Sequence, residues 1–191
     1  MAIVAPITAV ACATLPVIWG LFSGEKLSTQ QIIGVFVGLF AIFLVSWTPG
    51  GQAGIKGMLV LEALIAGLAF GAFFIVIDGT SETTAPWPVV GSRVFSVIAI
   101  FLFVMIGRKN IKPEEKSTPY IIGAGFFDTL ANVVLLAALN RGMLSLVSVL
   151  ASFYPAVTVL LARLFLKEMM LKSQIVGLAL GLTSIALLAV S

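Results

Sequence analysis

Polar side chains able to do chemistry are few in this chain, and they gather between Tyr120 and Glu168. Two long apolar runs there are joined by the tight polar turn Asn140-Arg141-Gly142. The first run carries Asp128 and Asn132, four residues apart and therefore on one face of a helix. The second carries Ser145, Ser148 and Ser152, then Tyr154 and Pro155 in mid-run. Polar groups among so many leucines and phenylalanines are costly in lipid and usually have a function. The chemistry open to them is recognition of a solute. Asn132, Ser148 and Ser152 would donate and accept hydrogen bonds in a central cavity, with Tyr154 beside them. Pro155 would kink its helix and free a carbonyl to face that cavity. Asp128 could carry a coupling proton, since burial raises the pKa of a carboxyl group. The alternative is that Asp128 pairs with Arg93, or sits at an interface and only holds helices together. Arg93 has the same default role as Glu62, snorkelling or helix pairing, though it could attract an anionic substrate. Phe74, with Gly67 and Phe70, forms a face that either touches substrate or packs in the core. Glu62 lies near a span end, where snorkelling or helix pairing is the simpler role.

The elements that position these groups follow from composition. The chain has 191 residues, 60% hydrophobic and only 10% charged, against about 25% charge in a soluble domain. Such a chain belongs in a bilayer. The apolar runs repeat to the last residue, so they are no signal peptide. The net charge of +3 is small and its basic residues lie in links between spans, which argues against nucleic acid as a partner. There is one cysteine, Cys12, and no histidine. That excludes a disulfide framework and removes the commonest metal ligand and general base. No metal or cofactor is expected, and no set of residues resembles a catalytic one.

A span needs roughly 20 apolar residues. Seven runs qualify, at about 2–22, 30–47, 57–77, 87–107, 119–139, 144–164 and 173–190. They are longer and more continuously apolar than barrel strands, so the chain is an all-α integral membrane protein of seven transmembrane helices. Gly34 and Gly38, Gly67 and Gly71, and Gly177 and Gly181 each place two glycines on one helix face, where helices pack closely. Trp19, Trp47 and Trp87 fit interfacial anchors.

One internal echo orders the whole chain. The stretch from Gly24 matches the stretch from Lys167 at a gapless offset of 143 residues, Gly34 falling on Gly177. Glu25 falls on Glu168, Gln31 on Gln174 and Gly38 on Gly181. Both glutamates precede helices, where capping is the default role. Residues 1–48 then end a first repeat, 49–56 form a linker and 57–191 form a complete second repeat of five helices. Symmetry expects three further spans before Met1. Repeats of an odd number of helices face opposite ways across the membrane, as in secondary transporters. Lys56, then Arg108, Lys109, Lys112 and Lys116, then Lys167 and Lys172 lie on one side of the membrane, against Lys26 and Arg141 on the other. The positive-inside rule puts the first group in the cytoplasm and the C-terminus outside.

A resemblance joins the argument here. Asp128-Thr-Leu-Ala-Asn132, Asn140-Arg141-Gly142, Ser148 to Pro155, Thr158 to Arg163, Lys167-Glu168 and Gln174 to Gly177 together resemble the C-terminal repeat of EamA-like transporters of the drug/metabolite transporter superfamily. Ala5-Pro6, Pro16, Gly24 to Ser28 and Gln31 to Gly34 resemble the end of its N-terminal repeat. The resemblance implies part of a ten-helix bundle of two inverted repeats, moving small metabolites or drugs across the inner cell membrane. It also implies a cytoplasmic C-terminus, opposite to the charge count. The chain would be a multi-pass exporter whose partners are the bilayer and a small-molecule substrate. A homodimer or the missing N-terminal helices would close the interface left open. The rival is a truncated, non-transporting or partner-dependent fragment. A retinal protein, prompted by the count of seven, lacks the buried lysine it would need.

Overall fold

Backbone groups in lipid have no partner but the chain itself, and unbroken apolar runs leave helix as the solution. The computed structural model describes residues 4–47, 57–80, 82–107 and 117–189, and among them there is no strand. The 49–56 linker and the basic link with Arg108, Lys109, Lys112 and Lys116 lie outside the described residues, as does Lys56. The helices are α1 (Val4–Phe22), α2 (Thr29–Ser46), α3 (Gly57–Asp78), α4 (Trp87–Gly107), α5 (Thr118–Leu139), α6 (Leu144–Ala151), α7 (Tyr154–Phe165) and α8 (Lys172–Ala189). Counting α6 and α7 as one interrupted span, seven among the described residues are long and apolar enough to cross a membrane.

The echo seen in sequence is repeated in backbone geometry. Gly24 has φ 95° and Lys167, its counterpart at the same offset, has φ 56°. Both loops therefore turn through the left-handed region immediately before their glutamate. Gln31 accepts the Ser28 amide at 2.9 Å, and Gln174 accepts the Leu171 amide at 3.0 Å. At α2 the Ser28 hydroxyl returns the bond to the Gln31 amide, completing a capping box. At α8 the matching position is Leu171, so only the glutamine half survives. The left-handed region costs a lysine roughly 1–2 kcal/mol and a glycine almost nothing. Lys167→Gly is accordingly expected to stabilise the protein by about 1 kcal/mol, read as a rise in thermal midpoint in detergent.

The chain forms two compact units, Met1–Val76 with Gly142–Ser191, and Ile77–Arg141. In the first, α2 is central and touches α1, α6, α7 and α8. Its core joins Ala9, Ala13 and Val17 to Val35, Ala41, Ile42 and Val45, with Val149, Phe153, Ala156 and Leu188 closing it. In the second unit α4 packs against α5.

Helices α2 and α8 meet through their echoed glycines. A Cβ on Gly34 would stand 3.0 Å from Leu188, and one on Gly177 2.7 Å from the Val45 side chain. Gly38 faces Ser184, whose hydroxyl donates to the Gly34 carbonyl at 2.8 Å. The pairs 34–188, 38–184 and 45–177 run in opposite directions, so the helices are antiparallel. The offset turns the contact Gly34–Leu188 into Gly177–Val45, so the two contacts exchange under a twofold rotation. Gly181 departs from this pattern and meets the Phe153 ring.

Candidate functional site

In the unit of α4 and α5, three of the sequence candidates come together. Arg93 is in the second turn of α4, and Asp128 lies half way along α5. Arg93 Nη1 stands 2.6 Å from Asp128 Oδ2, an ion pair between spans. Arg93 Nη2 donates to the Asp128 carbonyl at 3.3 Å, and Asn132 Nδ2 donates to the same carbonyl at 2.8 Å. The pair is not sealed in the unit: the side chains are 35% and 59% exposed. Nor is the Arg93 donor set spent, since its Nε has no hydrogen-bond partner. Lipid tails cannot solvate the exposed part of the ion pair, so this face calls for water, solute or protein against it.

The other candidates lie in the larger unit. The Ser145, Ser148 and Ser152 side chains are all fully buried. Ser148 donates to the Ser145 carbonyl at 3.1 Å and is satisfied within its own helix. Ser152 is not. Its hydroxyl makes no hydrogen bond of good geometry, and the Cys12 thiol of α1 lies beside it. Pro155 is buried, Tyr154 is about half exposed and Phe74 is buried. The run read as one span is broken at Ser152 and Phe153. Pro155 has no N–H, so the Ala151 carbonyl loses its donor four residues on. Phe153 then bonds back three residues, to Leu150 at 3.2 Å. The span is thus interrupted just before Pro155, with the buried Ser152 hydroxyl at the break.

The glycine pair of α3 seats that helix on α1. A Cβ on Gly67 would stand 2.6 Å from the Thr8 carbonyl, and one on Gly71 3.0 Å from the Cys12 carbonyl, which Pro16 deprives of its helix donor. Beside this contact runs an apolar groove of about 430 Å³, lined by Pro6, Val10, Thr14, Phe43, Leu64 and Leu68. Its polar member, Thr14, returns its hydroxyl to the Val10 carbonyl at 2.7 Å, so the groove offers a solute little to bind.

One long-range contact escaped sequence reasoning. Glu25 does not cap α2, because Ser28 and Gln31 already do. It reaches the head of α6 instead, accepting the Leu144 amide at 2.6 Å and the Ser145 amide at 3.1 Å. The duplicated Glu25 and Glu168 were the available signal, but nothing local in the chain points 119 residues downstream.

Comparison with known proteins agrees with this architecture. An uncharacterized protein of Methanocaldococcus jannaschii is 31% identical over 121 residues, which cover 63% of this chain and 87% of that protein. The profile of the EamA-like transporter family matches residues 56–190, from the head of α3 to the end of α8. Seven apolar spans among the described residues, an echoed helix pair packed antiparallel and a family match over most of its length lead to one conclusion: the chain belongs to the EamA-like transporter family and is a multi-pass membrane protein of the drug/metabolite transporter kind.

Proposed function

We propose that the chain is a secondary transporter that exports small organic metabolites or drugs across the cytoplasmic membrane, without chemical change to them. The observation that carries this reading is the Arg93–Asp128 pair, charged, half way down a hairpin and open on one side. With Asn132 it presents donors and acceptors that suit a small polar solute. Tyr154, about half exposed beside the break of α6 and α7, supplies a second polar group. Helices α4 and α5 bury few residues of their own, Val89 in one and Leu136 and Leu139 in the other.

Flux into everted membrane vesicles tests the reading. Ethidium, threonine and uridine serve as probes for drug, amino acid and nucleoside classes. Asp128→Asn and Arg93→Gln are each expected to lower flux of the transported probe about tenfold, the worth of one charge-assisted hydrogen bond. Unchanged flux in both variants at normal expression would overturn it. If Asp128→Asn transports with the pH profile of the unaltered chain, Asp128 carries no coupling proton.

A further inference from the structure

The offset that relates the two echoed loops also shows where they differ. The stretch Gly20 to Thr29, around the loop between α1 and α2, falls on Arg163 to Lys172, around the loop between α7 and α8. Gly20, Gly24 and Thr29 of the first are matched by Arg163, Lys167 and Lys172 of the second. Ser23 and Ser28 are matched by Leu166 and Leu171, and Lys26 by Met169. The first stretch carries Glu25 and Lys26 and is neutral. The second carries three cations against the single carboxylate of Glu168. The α7–α8 loop is thus both more basic and more apolar than its echo.

Arg163, Lys167 and Lys172 are all exposed. Among them stand Phe165, Leu166 and Met169, which are 79%, 69% and 86% exposed. Arg163, in the last turn of α7, holds the loop folded back: its Nη1 donates to the Glu168 carbonyl at 3.2 Å and to Met169 Sδ at 3.9 Å. Exposed apolar side chains at the end of a span belong at the headgroup boundary of the bilayer, and cations beside them meet lipid phosphates there. Lys167 gives the sharpest observation. It holds φ 56° at the place where Gly24 holds 95°. Helix ends usually give this left-handed position to glycine, and a lysine is strained in it. A lysine that only set the topology could stand anywhere in the loop. A charged residue kept at the strained position points to a use for the charge there. We propose that the α7–α8 loop binds the phosphate headgroup of an anionic phospholipid, with Lys167 and Lys172 as its cations and Phe165, Leu166 and Met169 seated among the acyl chains. The partner is a lipid because a free phosphate ion would give those apolar side chains nothing to bury against. The site makes no demand on what the protein transports.

Native mass spectrometry of the protein in detergent counts bound lipid directly. Dioleoylphosphatidylglycerol is expected to fill its first site about tenfold more tightly than dioleoylphosphatidylcholine, for two cations near the headgroup. Lys167→Gly removes the charge and also relieves the backbone, so a failure to fold cannot account for lost binding. It should weaken phosphatidylglycerol binding about fivefold, the worth of one cation at the surface, and leave phosphatidylcholine binding unchanged. Lys172→Gln should act in the same way, and Lys167→Arg should keep the affinity. Lys26→Gln, on the echoed loop, should change nothing. Equal affinity for the two lipids, or phosphatidylglycerol affinity unmoved by Lys167→Gly, would overturn the site. An equal loss in Lys26→Gln would overturn its assignment to the α7–α8 loop. Displacement of the lipid by millimolar inorganic phosphate at constant ionic strength would overturn lipid as the partner. If Lys167 only answers the C-terminal dipole of α7, Lys167→Gly lowers the thermal midpoint in lipid-free detergent and leaves lipid binding intact.

Discussion

Gly177→Leu is expected to unseat α8 from α2 and to cost the protein about 3 kcal/mol or more, enough to abolish a cooperative thermal transition in mild detergent. The reason is what surrounds the glycine. A Cβ there would stand 2.9 Å from the Val45 amide nitrogen and 3.0 Å from the Ala41 carbonyl oxygen. Both are backbone atoms of a neighbouring helix, which cannot swing aside as a side chain can. In lipid the two helices gain little from hydrophobic burial against each other, so close packing carries their association. Gly34→Ala should be milder, because the atoms its Cβ meets at 3.0 Å belong to the Leu187 and Leu188 side chains. Gly123→Leu on α5, where a Cβ meets nothing within 4 Å, is expected to leave the midpoint within about 0.5 kcal/mol of the unaltered protein. Equal effects at Gly177 and Gly123 would show that the α2–α8 contact does not carry stability.

Arg93→Leu should be nearly as damaging, for an electrostatic reason. Removing the guanidinium leaves the Asp128 carboxylate unpaired half way along α5, and a lone charge at the centre of a span costs roughly 3 kcal/mol. Asp128→Leu should cost a similar amount by stranding Arg93. The double variant Arg93→Leu/Asp128→Leu removes both charges and should regain most of the stability, since two apolar residues in place of an ion pair are often neutral. A double-mutant cycle on unfolding free energies measures the coupling, with a deficit of two single changes that far exceeds the double. Additive losses would show that the 2.6 Å contact contributes nothing. Flux separates stability from function here: the double variant should fold and still fail to transport.

Much of this molecule was legible in its sequence, for physical reasons that differ by feature. The spans could be read because lipid forces the backbone to bond within each apolar run. The echo could be read because the loop geometry it encodes is local: the turn at Gly24 and Lys167 and the glutamine caps Gln31 and Gln174 depend on residues within a few positions. Pro155 foretold a disturbance in its helix, and the break falls just before it, where the missing N–H is felt. The partner of Asp128 stayed open between Arg93 and other roles because the two residues sit on different helices, 35 residues apart. Glu25 misled for the opposite reason. Its position before α2 suggested a local cap, but Ser28 had already taken that place, so the carboxylate was free to reach another helix.

The antiparallel contact of α2 and α8 has one more consequence. A surface that satisfies itself under a twofold rotation is what a shorter, single-repeat chain would need in order to pair with an inverted copy of itself. Joining two such chains end to end keeps the contact and turns a dilute encounter into an intramolecular one, at an effective concentration that no free pair of subunits in a membrane has to reach. Fusion also lets the halves diverge, because each side of the contact is then encoded separately. Gly38 against Ser184 and Gly181 against the Phe153 ring show where the echoed glycines differ: one faces a serine of the antiparallel helix, the other an aromatic ring at the break in the neighbouring span.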